Sequence, residues 1–221
     1  FRRVLFRSAV LAKMAATIDH ITGGRLILGL GSGWQENEHE KYGIEFDTVA
    51  GRLRRLEEAC QVIKSLFSED SATFNGRYYQ LKDAPLVPKP SNVPLLIGGG
   101  GEKVTLRITA QYADEWNVWG NVEELKHKMA ILDKHCADIG RDPSEIKRTA
   151  VAMVFVTDDQ AFAAKMNEST ERPPRIAGTG SQLQDIMAAY KEAGVDEFIL
   201  PDFTLPLGAD EAKLEIGRAH V

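Results

Sequence analysis

The stretch LLIGGGGEKVTLR, residues 95–107, joins a short apolar run to a helical pattern through four consecutive glycines. Leu95–Ile97 has the length and composition of a buried strand, and the residues from Glu102 to Ala113 are spaced as in a helix. Glycines at such a junction let backbone N–H groups approach a ligand, because no Cβ atom stands in the way. The stretch therefore predicts an α/β fold with a ligand-binding turn at the carboxyl end of a strand.

Strands and helices alternate on both sides of this stretch. The other predicted strands are Arg25–Gly29, Asp114–Val118, Thr149–Val156 and Asp196–Leu200. The segments QENEHEKYGIEF and ERPPRIAGTGS are predicted to be loops, and FNGRYYQLKD to be a hairpin turning at Asn75-Gly76. Asp47 is predicted to cap one long helix and Asn121 to cap another. Continuous apolar strands are typical of parallel sheets covered on both faces. The alternation predicts either an open doubly wound sheet or a (β/α) barrel.

A second glycine-rich turn, GLGSGW at 29–34, follows the first predicted strand. It superficially matches the dinucleotide-binding pattern G-x-G-x-x-G, but the position of the third glycine is occupied by Trp34. A polar segment, and not a helix, is predicted to follow it. The turn is therefore interpreted as part of a ligand-binding edge that is not a Rossmann site.

Composition narrows the function classes. The chain has 221 residues and a formal net charge of −5, so it lacks the basic excess of a nucleic-acid-binding protein. No apolar run approaches the roughly 20 residues that span a bilayer. The two cysteines, Cys60 and Cys136, fall on the apolar sides of helical patterns and are expected to be reduced core thiols of a cytoplasmic protein. No histidine has metal-ligand spacing to a partner, so no metal site is predicted.

Both ends of the chain are expected to be foreign to the natural protein. FRRVLFRS at 1–8 and EIGRAHV at 215–221 can be back-translated to a shared string read from opposite strands, which resembles a sequencing-library adapter. Residues 9–214 are then interpreted as a fragment of one domain, whose natural protein is longer at both ends.

Five segments together resemble the luciferase-like monooxygenase superfamily, and more narrowly its branch of deazaflavin (coenzyme F420) oxidoreductases. They are RLILGLGSGWQENEHEKYGIEF, RLRRLEEACQVIKSLF, FNGRYYQLKDAPLVPKP, LLIGGGGEKVTLRITAQYADEWN and AGVDEFIL. The resemblance implies a (β/α)8 TIM barrel with a flavin or deazaflavin at the carboxyl ends of the strands. It also implies that this chain holds strands four to eight and lacks the first three strands and most of the last helix.

The resemblance assigns two groups of cofactor contacts. The cofactor phosphate is expected at Gly98, Gly99, Gly100 and Gly101 with the backbone of Glu102, whose side chain is expected to point away from it. Gly31, Ser32, Gly33 and Asn37 match the branch's pattern of backbone, hydroxyl and amide contacts to the cofactor.

Five side chains are candidates for the chemistry and for substrate binding. His39, among three glutamates, and Tyr42 are the candidate catalytic residues, since hydride transfer leaves a proton to be handled. Trp34, Trp116 and Asn117 are the candidate substrate contacts. Trp34 stands where some deazaflavin dehydrogenases carry a catalytic carboxylate, which argues against sugar-phosphate dehydrogenase activity.

The predicted function is hydride transfer between coenzyme F420 and a small organic substrate. One alternative is an FMN-dependent two-component monooxygenase that uses O2, and another is a non-catalytic cofactor-binding protein. The expected partners are a small-molecule substrate and, in the whole protein, a second copy in a homodimer, with no nucleic acid and no membrane. The chain alone is expected to be unstable and inactive, because an incomplete barrel exposes two strand edges.

Overall fold

The computed structural model describes residues 8–201. The α-helices are α1 (Ser8–Thr22), α2 (Glu36–Lys41), α3 (Val49–Ser68), α4 (Thr105–Tyr112), α5 (Val122–Asp138), α6 (Gln160–Asn167) and α7 (Gly180–Glu192). The strands are β1 (Leu28–Leu30), β2 (Ala72–Asn75), β3 (Gln80–Ala84), β4 (Leu95–Gly98), β5 (Glu115–Trp119), β6 (Lys147–Val151), β7 (Met153–Val156), β8 (Arg175–Gly178) and β9 (Glu197–Ile199).

A five-stranded parallel sheet forms the centre of the molecule, in the order β1-β4-β5-β6-β9. Each strand of this sheet therefore lies beside the next one along the chain, without the reversal of order that defines a doubly wound sheet. This order is the arrangement of a (β/α) barrel, which confirms the predicted fold class. Within the described residues the barrel is partial, with β1 and β9 at its edges.

Alternate residues of the central strands face the helices and the inner side of the sheet. Leu28, Leu95 and Ile97 pack with α1 and α3 in one apolar cluster. Trp116 and Ala150 belong to a second cluster with α5 and α7. Because side chains alternate along a strand, Asn117 and Thr149 lie on the inner side. The faces of the strands therefore decide which side chains can line a site.

Local capping explains where several helices begin. Asn121 accepts a hydrogen bond from the Glu124 N–H, and the Glu124 carboxylate accepts one from the Asn121 N–H, which completes a capping box at α5. The predicted cap of α5 is thereby confirmed. The predicted cap of α3 is wrong by one residue, because the hydroxyl of Thr48 and not Asp47 accepts the Gly51 N–H.

Two other predictions need correction. The apolar run Thr149–Val156 is not one strand, because β6 pairs with β5 and β9 while β7 leaves the sheet to pair with β8. Strand β8 lies inside the segment 171–181 that was predicted to be a loop, where neighbouring prolines and glycines mask the short run Arg175–Gly178. The hairpin at Asn75-Gly76 is confirmed as β2 and β3.

The expected foreign ends fall almost entirely outside the described residues. Of residues 1–8 only Ser8 is described, as the first residue of α1, and residues 215–221 are all outside. The expectation about the ends stays a prediction.

Candidate cofactor and substrate site

The turn after β4 is held by the strand beside it. Gly99 donates its N–H to the carbonyl oxygen of Asn117 (2.9 Å), and its own carbonyl oxygen accepts the indole Nε1–H of Trp116 (2.9 Å). Gly99 has a φ of +125°, a conformation that side-chain-bearing residues avoid. A Cβ atom on Gly101 would lie 2.7 Å from the hydroxyl oxygen of Thr105. Glycine is therefore required at both positions by the geometry of the turn.

Four consecutive N–H groups, Gly100–Lys103, donate no hydrogen bond to any atom within the described residues. The neighbouring carbonyls explain their direction, because the C=O and the next N–H of a trans peptide point opposite ways. The Gly101 carbonyl accepts from the Leu106 N–H (3.0 Å), and the Glu102 carbonyl accepts from His135 Nε2 (2.8 Å). The N–H groups of Glu102 and Lys103 thus point away from α4 and α5.

The helix after this turn begins later than the sequence predicts. Helix α4 begins at Thr105, with Val104 before it, and not near Glu102. Residues 102–104 form a turn, because the Leu106 N–H reaches back to Gly101. The extra turn lengthens the row of exposed N–H groups beyond the glycines. The segment thus presents more backbone donors than a helix starting at Glu102 would.

A surface depression of about 390 Å³ lies over this turn. Its lining residues are Leu53, Gly100, Gly101, Glu102, Lys103, Val104, Thr105 and Lys128. The Glu102 carboxylate pairs with Lys128 Nζ (2.6 Å) and lies 3.4 Å from His127 Nε2. The hydrogen bond and charge of Lys128 lower the pKa of Glu102, so this carboxyl group is ionised at neutral pH. The side chain of Glu102 is turned toward α5.

The turn after β1 lies directly beside the turn after β4. Strands β1 and β4 are paired, and a Cβ atom on Gly31 would lie 3.9 Å from the carbonyl oxygen of Gly98. Helix α3 contacts both turns, because Arg52 Nε donates to the carbonyl oxygen of Gly33 (3.3 Å) while Leu53 lines the depression. The two glycine turns that the sequence singles out therefore form one continuous edge.

His39 lies against the first turn. Gly33 has a φ of +76°, and a Cβ atom there would lie 3.2 Å from Cε1 of the His39 ring. The same ring packs edge-on against Phe46 at 4.9 Å between centroids. His39 Nδ1 donates to the carbonyl oxygen of Gln35 (2.8 Å), since a carbonyl can only accept. A neutral His39 ring therefore presents an unprotonated Nε2 on the side of Gly33.

His39 belongs to a helix that the sequence does not predict. The segment ENEHEK forms α2, which lacks buried residues and so shows no apolar period. Asn37 lies exposed on the same helix, and Ser32 is half-buried in the turn. Trp34 and Tyr42 are 77% and 78% exposed, so neither side chain is part of the packed core.

The structure places Trp116, a candidate substrate contact, away from the inner side of the sheet. Its indole is 1% exposed and packs in the cluster of α5 and α7, on the helix side of β5. Asn117 does lie on the inner side, where its amide donates to Thr149 Oγ1 (2.6 Å). Trp119, two residues further along the same face, is 36% exposed, and the sequence analysis did not include it among the candidate substrate contacts. The spacing of two from Asn117 is the signal that could have found Trp119.

The described residues hold neither a metal-ligand cluster nor a membrane span. No three His, Cys, Asp or Glu side chains among residues 8–201 are grouped so as to hold a metal ion. No helix in the same range combines the length and apolarity needed to cross a bilayer. A second surface depression, also of about 390 Å³, lies between α6 and α7, so the glycine turns are the candidate site on their backbone geometry and not on cavity size.

The two buried cysteines have low reactivity as nucleophiles. Cys60 on α3 and Cys136 on α5 are both fully covered and unpaired. Burial raises the pKa of the Cys60 thiol to about 12 and also raises the pKa of Cys136. Neither thiol is set up as a nucleophile, because the thiolate is the reactive form.

Comparison with known proteins identifies the family. The model of the luciferase-like monooxygenases matches residues 3–194. The chain belongs to the luciferase-like monooxygenase family. Among solved structures, an F420-dependent secondary alcohol dehydrogenase in complex with an F420–acetone adduct superposes on this chain with a TM-score of 0.75. That pair shares 23% identity over 87% of this chain and 68% of the other, so it supports the fold alone.

Two curated relatives of this luciferase-like chain use different cofactors. The FMNH2-dependent dimethylsulfone monooxygenase of Pseudomonas fluorescens (strain Pf0-1) is 27% identical over 79% of this chain and 52% of its own length. The F420-dependent glucose-6-phosphate dehydrogenase of Kineococcus radiotolerans is 41% identical over 45% of this chain and 30% of its own length. The chain thus spans about half the length of the monooxygenase. The family is one of oxidoreductases, and its members named here divide between FMN and F420.

Proposed function

We propose that the whole protein containing this luciferase-like chain transfers a hydride between coenzyme F420 and a small organic substrate. The observation that carries the proposal is the row of four N–H groups at Gly100–Lys103 without acceptors in the described chain, beside the glycine turn of β1. Such a row is suited to the phosphate that both deazaflavin and flavin tails carry. The turn fits an anion, because these N–H groups have no acceptor within the described residues and the depression that they border also carries Lys103 and Lys128.

Each turn has its own part in holding the cofactor. Gly98–Gly101 and the backbone of Glu102 and Lys103 would hold the phosphate. Exposed Lys103 adds a positive charge that forms no ion pair within the described residues. Gly31, Ser32, Gly33 and Asn37 would contact the rest of the cofactor, since the β1 turn lies beside the phosphate turn. The two turns would then fix both ends of one elongated molecule.

The bound deazaflavin would supply the carbon that gives or takes the hydride. His39 would hold or accept the accompanying proton at Nε2, because its Nδ1 is committed to Gln35. Tyr42 would donate its hydroxyl proton in a hydrogen bond to the substrate. Trp34 and Asn117 would line the substrate pocket, with Trp119 joining them from the inner face of β5.

An FMN-dependent monooxygenase that uses O2 is the second candidate. Trp34 favours it, because it replaces the carboxylate that the resemblance expects of a sugar-phosphate dehydrogenase. The similarity to the dimethylsulfone monooxygenase over most of this chain favours it as well. A non-catalytic cofactor-binding protein would use the same turns, but it would leave His39 without a role in turnover.

Titration of the whole protein with F420 and with FMN separates these functions. Tight binding of F420 with F420-dependent oxidation or reduction of a small alcohol, aldehyde or ketone supports the proposal. Tight binding of FMN without binding of F420 contradicts it and favours the monooxygenase. Binding of F420 without turnover of a panel of such substrates favours the non-catalytic alternative.

Residues 1–221 alone are expected to turn over no substrate, because the sheet of the described residues is open at β1 and β9. The whole protein is further expected to act in the cytoplasm as a homodimer on a small-molecule substrate. Size-exclusion chromatography with light scattering tests the oligomeric state. A monomer that is fully active would contradict the dimer.

A further inference from the structure

The side chain of Lys128 lies along the glycine turn. It projects from α5 so that a Cβ atom on Gly100 would lie 3.6 Å from its Cε and 3.8 Å from its Cδ. These are ordinary van der Waals distances, so the lysine stem follows the backbone of the turn, and Lys128 is one of the residues that line the depression. The tight contact at Gly100 is a different one, because the same Cβ atom would lie 3.0 Å from Val118 Cγ2. Nothing in the sequence reasoning selects Lys128, which is far from the turn along the chain.

The ammonium group of Lys128 is held by an internal anion. Its Nζ lies 2.6 Å from Glu102 Oε1, and the same oxygen lies 3.4 Å from His127 Nε2. The Lys128 side chain is 25% exposed and the Glu102 side chain is 43% exposed, so the carboxylate has more solvent around it than its partner. The depression thus contains a partly covered cation and an anion that water can solvate if the pair separates. In such an arrangement, the lysine can exchange the carboxylate for an external anion that binds in the depression.

We propose that Lys128 is the side-chain ligand of the cofactor phosphate and that Glu102 is its counter-ion before the cofactor binds. The inference rests on the proposed function, because it takes the phosphate at Gly100–Lys103 as given. Binding of the phosphate exchanges the Lys128–Glu102 pair for a Lys128–phosphate pair. Glu102 then keeps His127 as its hydrogen-bond partner. Glu102 therefore lowers the affinity for the cofactor while Lys128 raises it.

The opposite signs of these two effects set the proposal apart from a purely structural ion pair. A pair that only ties the turn to α5 would be weakened equally by removing either partner. An exchange of counter-ions predicts that removing the carboxylate strengthens phosphate binding and that removing the ammonium weakens it. Phosphate-free ligands should respond to neither change. Ligand pairs that differ in the phosphate-bearing tail therefore report directly on the exchange.

The test uses the whole protein with two ligand pairs, F420 with its phosphate-free deazaflavin riboside and FMN with riboflavin. Dissociation constants are measured by fluorescence, and inorganic phosphate serves as a competitor. K128M should weaken binding of the phosphate-bearing ligand by about tenfold or more, and K128R should restore most of it. E102Q should strengthen the same binding by about threefold to tenfold. The phosphate-free ligand should bind each variant as it binds the wild type.

Matched controls come from the same helix. Lys126 and Glu123 form an exposed ion pair on α5 (2.9 Å) that does not line the depression. K126M and E123Q should leave both ligand affinities within about twofold of the wild type. Thermal melting of each variant shows whether the fold is retained. Should K128M fail to fold, the increase predicted for E102Q and the retention predicted for K128R still decide the proposal.

The outcomes separate this inference from the proposed function. If the wild type binds both members of each ligand pair equally, the phosphate site is absent and the role of Lys128 fails with it, while F420-dependent turnover by the whole protein would still support the proposed function. If the wild type prefers the phosphate-bearing ligand and K128M keeps the same preference, only the role of Lys128 is overturned. A weaker phosphate preference in E102Q would also overturn it, because the ion pair would then be structural.

Discussion

The turns after β1 and β4 lie side by side and are both rich in glycine, yet they are held in different ways. The turn after β1 is fixed from outside by side chains, with the ring of His39 against Gly33 and the guanidinium of Arg52 on its carbonyl oxygen. The turn after β4 is held by side-chain hydrogen bonds to its carbonyl oxygens, from the indole of Trp116 to Gly99 and from the imidazole of His135 to Glu102. Both turns have N–H groups without acceptors in the described residues, but an imidazole packs against the turn after β1, whereas a lysine side chain lies along the turn after β4.

This difference separates two tasks along one edge of the sheet. The β1 turn carries an imidazole, a phenol and an indole, groups that exchange protons or cover a ring. The β4 turn offers a row of backbone donors, which suits an anion of fixed position. Changes at the first turn should therefore affect turnover, and changes at the second should affect recognition of the phosphate. Variants at the two turns test that division.

Gly99→Ala should have the largest effect. A φ of +125° is unfavourable for alanine, and the new Cβ would lie 3.3 Å from Thr105 Cγ2, so the turn must rotate. Binding of a phosphate-bearing cofactor should fall on the order of a hundredfold, as expected for the loss of two charge-assisted hydrogen bonds. The free energy of unfolding should fall by about 1–3 kcal/mol. Calorimetric titration and urea unfolding measure the two quantities.

Gly140→Ala is the control for this change. Gly140 also has a positive φ, +70°, but it follows α5 and has nothing within 4 Å of a Cβ position. It should lose about 1 kcal/mol of stability and no cofactor affinity. Equal losses of affinity in both variants would show that the β4 turn has no special part in binding.

His39→Ala should lower turnover by about a hundredfold, the usual contribution of an acid or base. The preference for the phosphate-bearing over the phosphate-free ligand should stay unchanged, since His39 belongs to the β1 turn. Steady-state kinetics and the two dissociation constants check this. His20→Ala is the control, because His20 binds the carbonyl oxygen of Lys89 away from the glycine turns. A changed phosphate preference with unchanged turnover would reverse the division of tasks.

Trp116→Phe should lower the free energy of unfolding by about 1–3 kcal/mol, because a smaller ring replaces the buried indole and the carbonyl oxygen of Gly99 loses its donor. Phosphate affinity should fall only severalfold, and the Michaelis constant for the substrate should not change. Trp119→Phe, on the inner face of the same strand, should raise the Michaelis constant for the substrate and leave the free energy of unfolding nearly unchanged. A substrate effect at Trp116 without a loss of stability would restore the original assignment of this residue.

The ionisation of Cys60 should have the smallest effect, which is on the stability of the fold at high pH. Helix α3, which carries Cys60, also contacts both turns through Arg52 and Leu53. Since burial raises the pKa of Cys60 from 9.0 to about 12, the folded thiol stays protonated where the unfolded one ionises. This contribution to stability is full below pH 9 and is lost as the pH rises toward 12. Iodoacetamide at pH 8 should label Cys60 only after unfolding, and rapid labelling of the folded protein would contradict this.

Much of the fold could be predicted because its signals are local. The glycines at 98–101 and the cap at Asn121 depend on neighbouring residues alone, and both are where the sequence places them. Helix α2 was missed because it buries no side chain. Strand β8, and the separation of β7 from β6, were missed because the pairing of β7 with β8 joins residues distant in the chain. The face of Trp116 was misread for a related reason. Alternation tells which residues share a face, but only packing tells which face meets the helices.

The site was predictable in its backbone and less so in its side chains. The glycine turns follow from the sequence because their function needs the absence of a side chain. Glu102 has two partners on α5, which are Lys128 for its carboxylate and His135 for its carbonyl oxygen. Only the packing of α4 on α5 brings these two residues to the turn. The contact between His39 and Gly33 depends on the unpredicted helix α2.

Amide NMR of the whole protein tests the central claim most directly. F420 and its phosphate-free riboside are added in turn to protein labelled with 15N. The account predicts that the amide resonances of Gly100, Gly101, Glu102 and Lys103 shift strongly downfield with F420 and little with the riboside. If those four amides stay in place while F420 binds and shifts resonances elsewhere, the phosphate does not lie in the β4 turn and the account is contradicted.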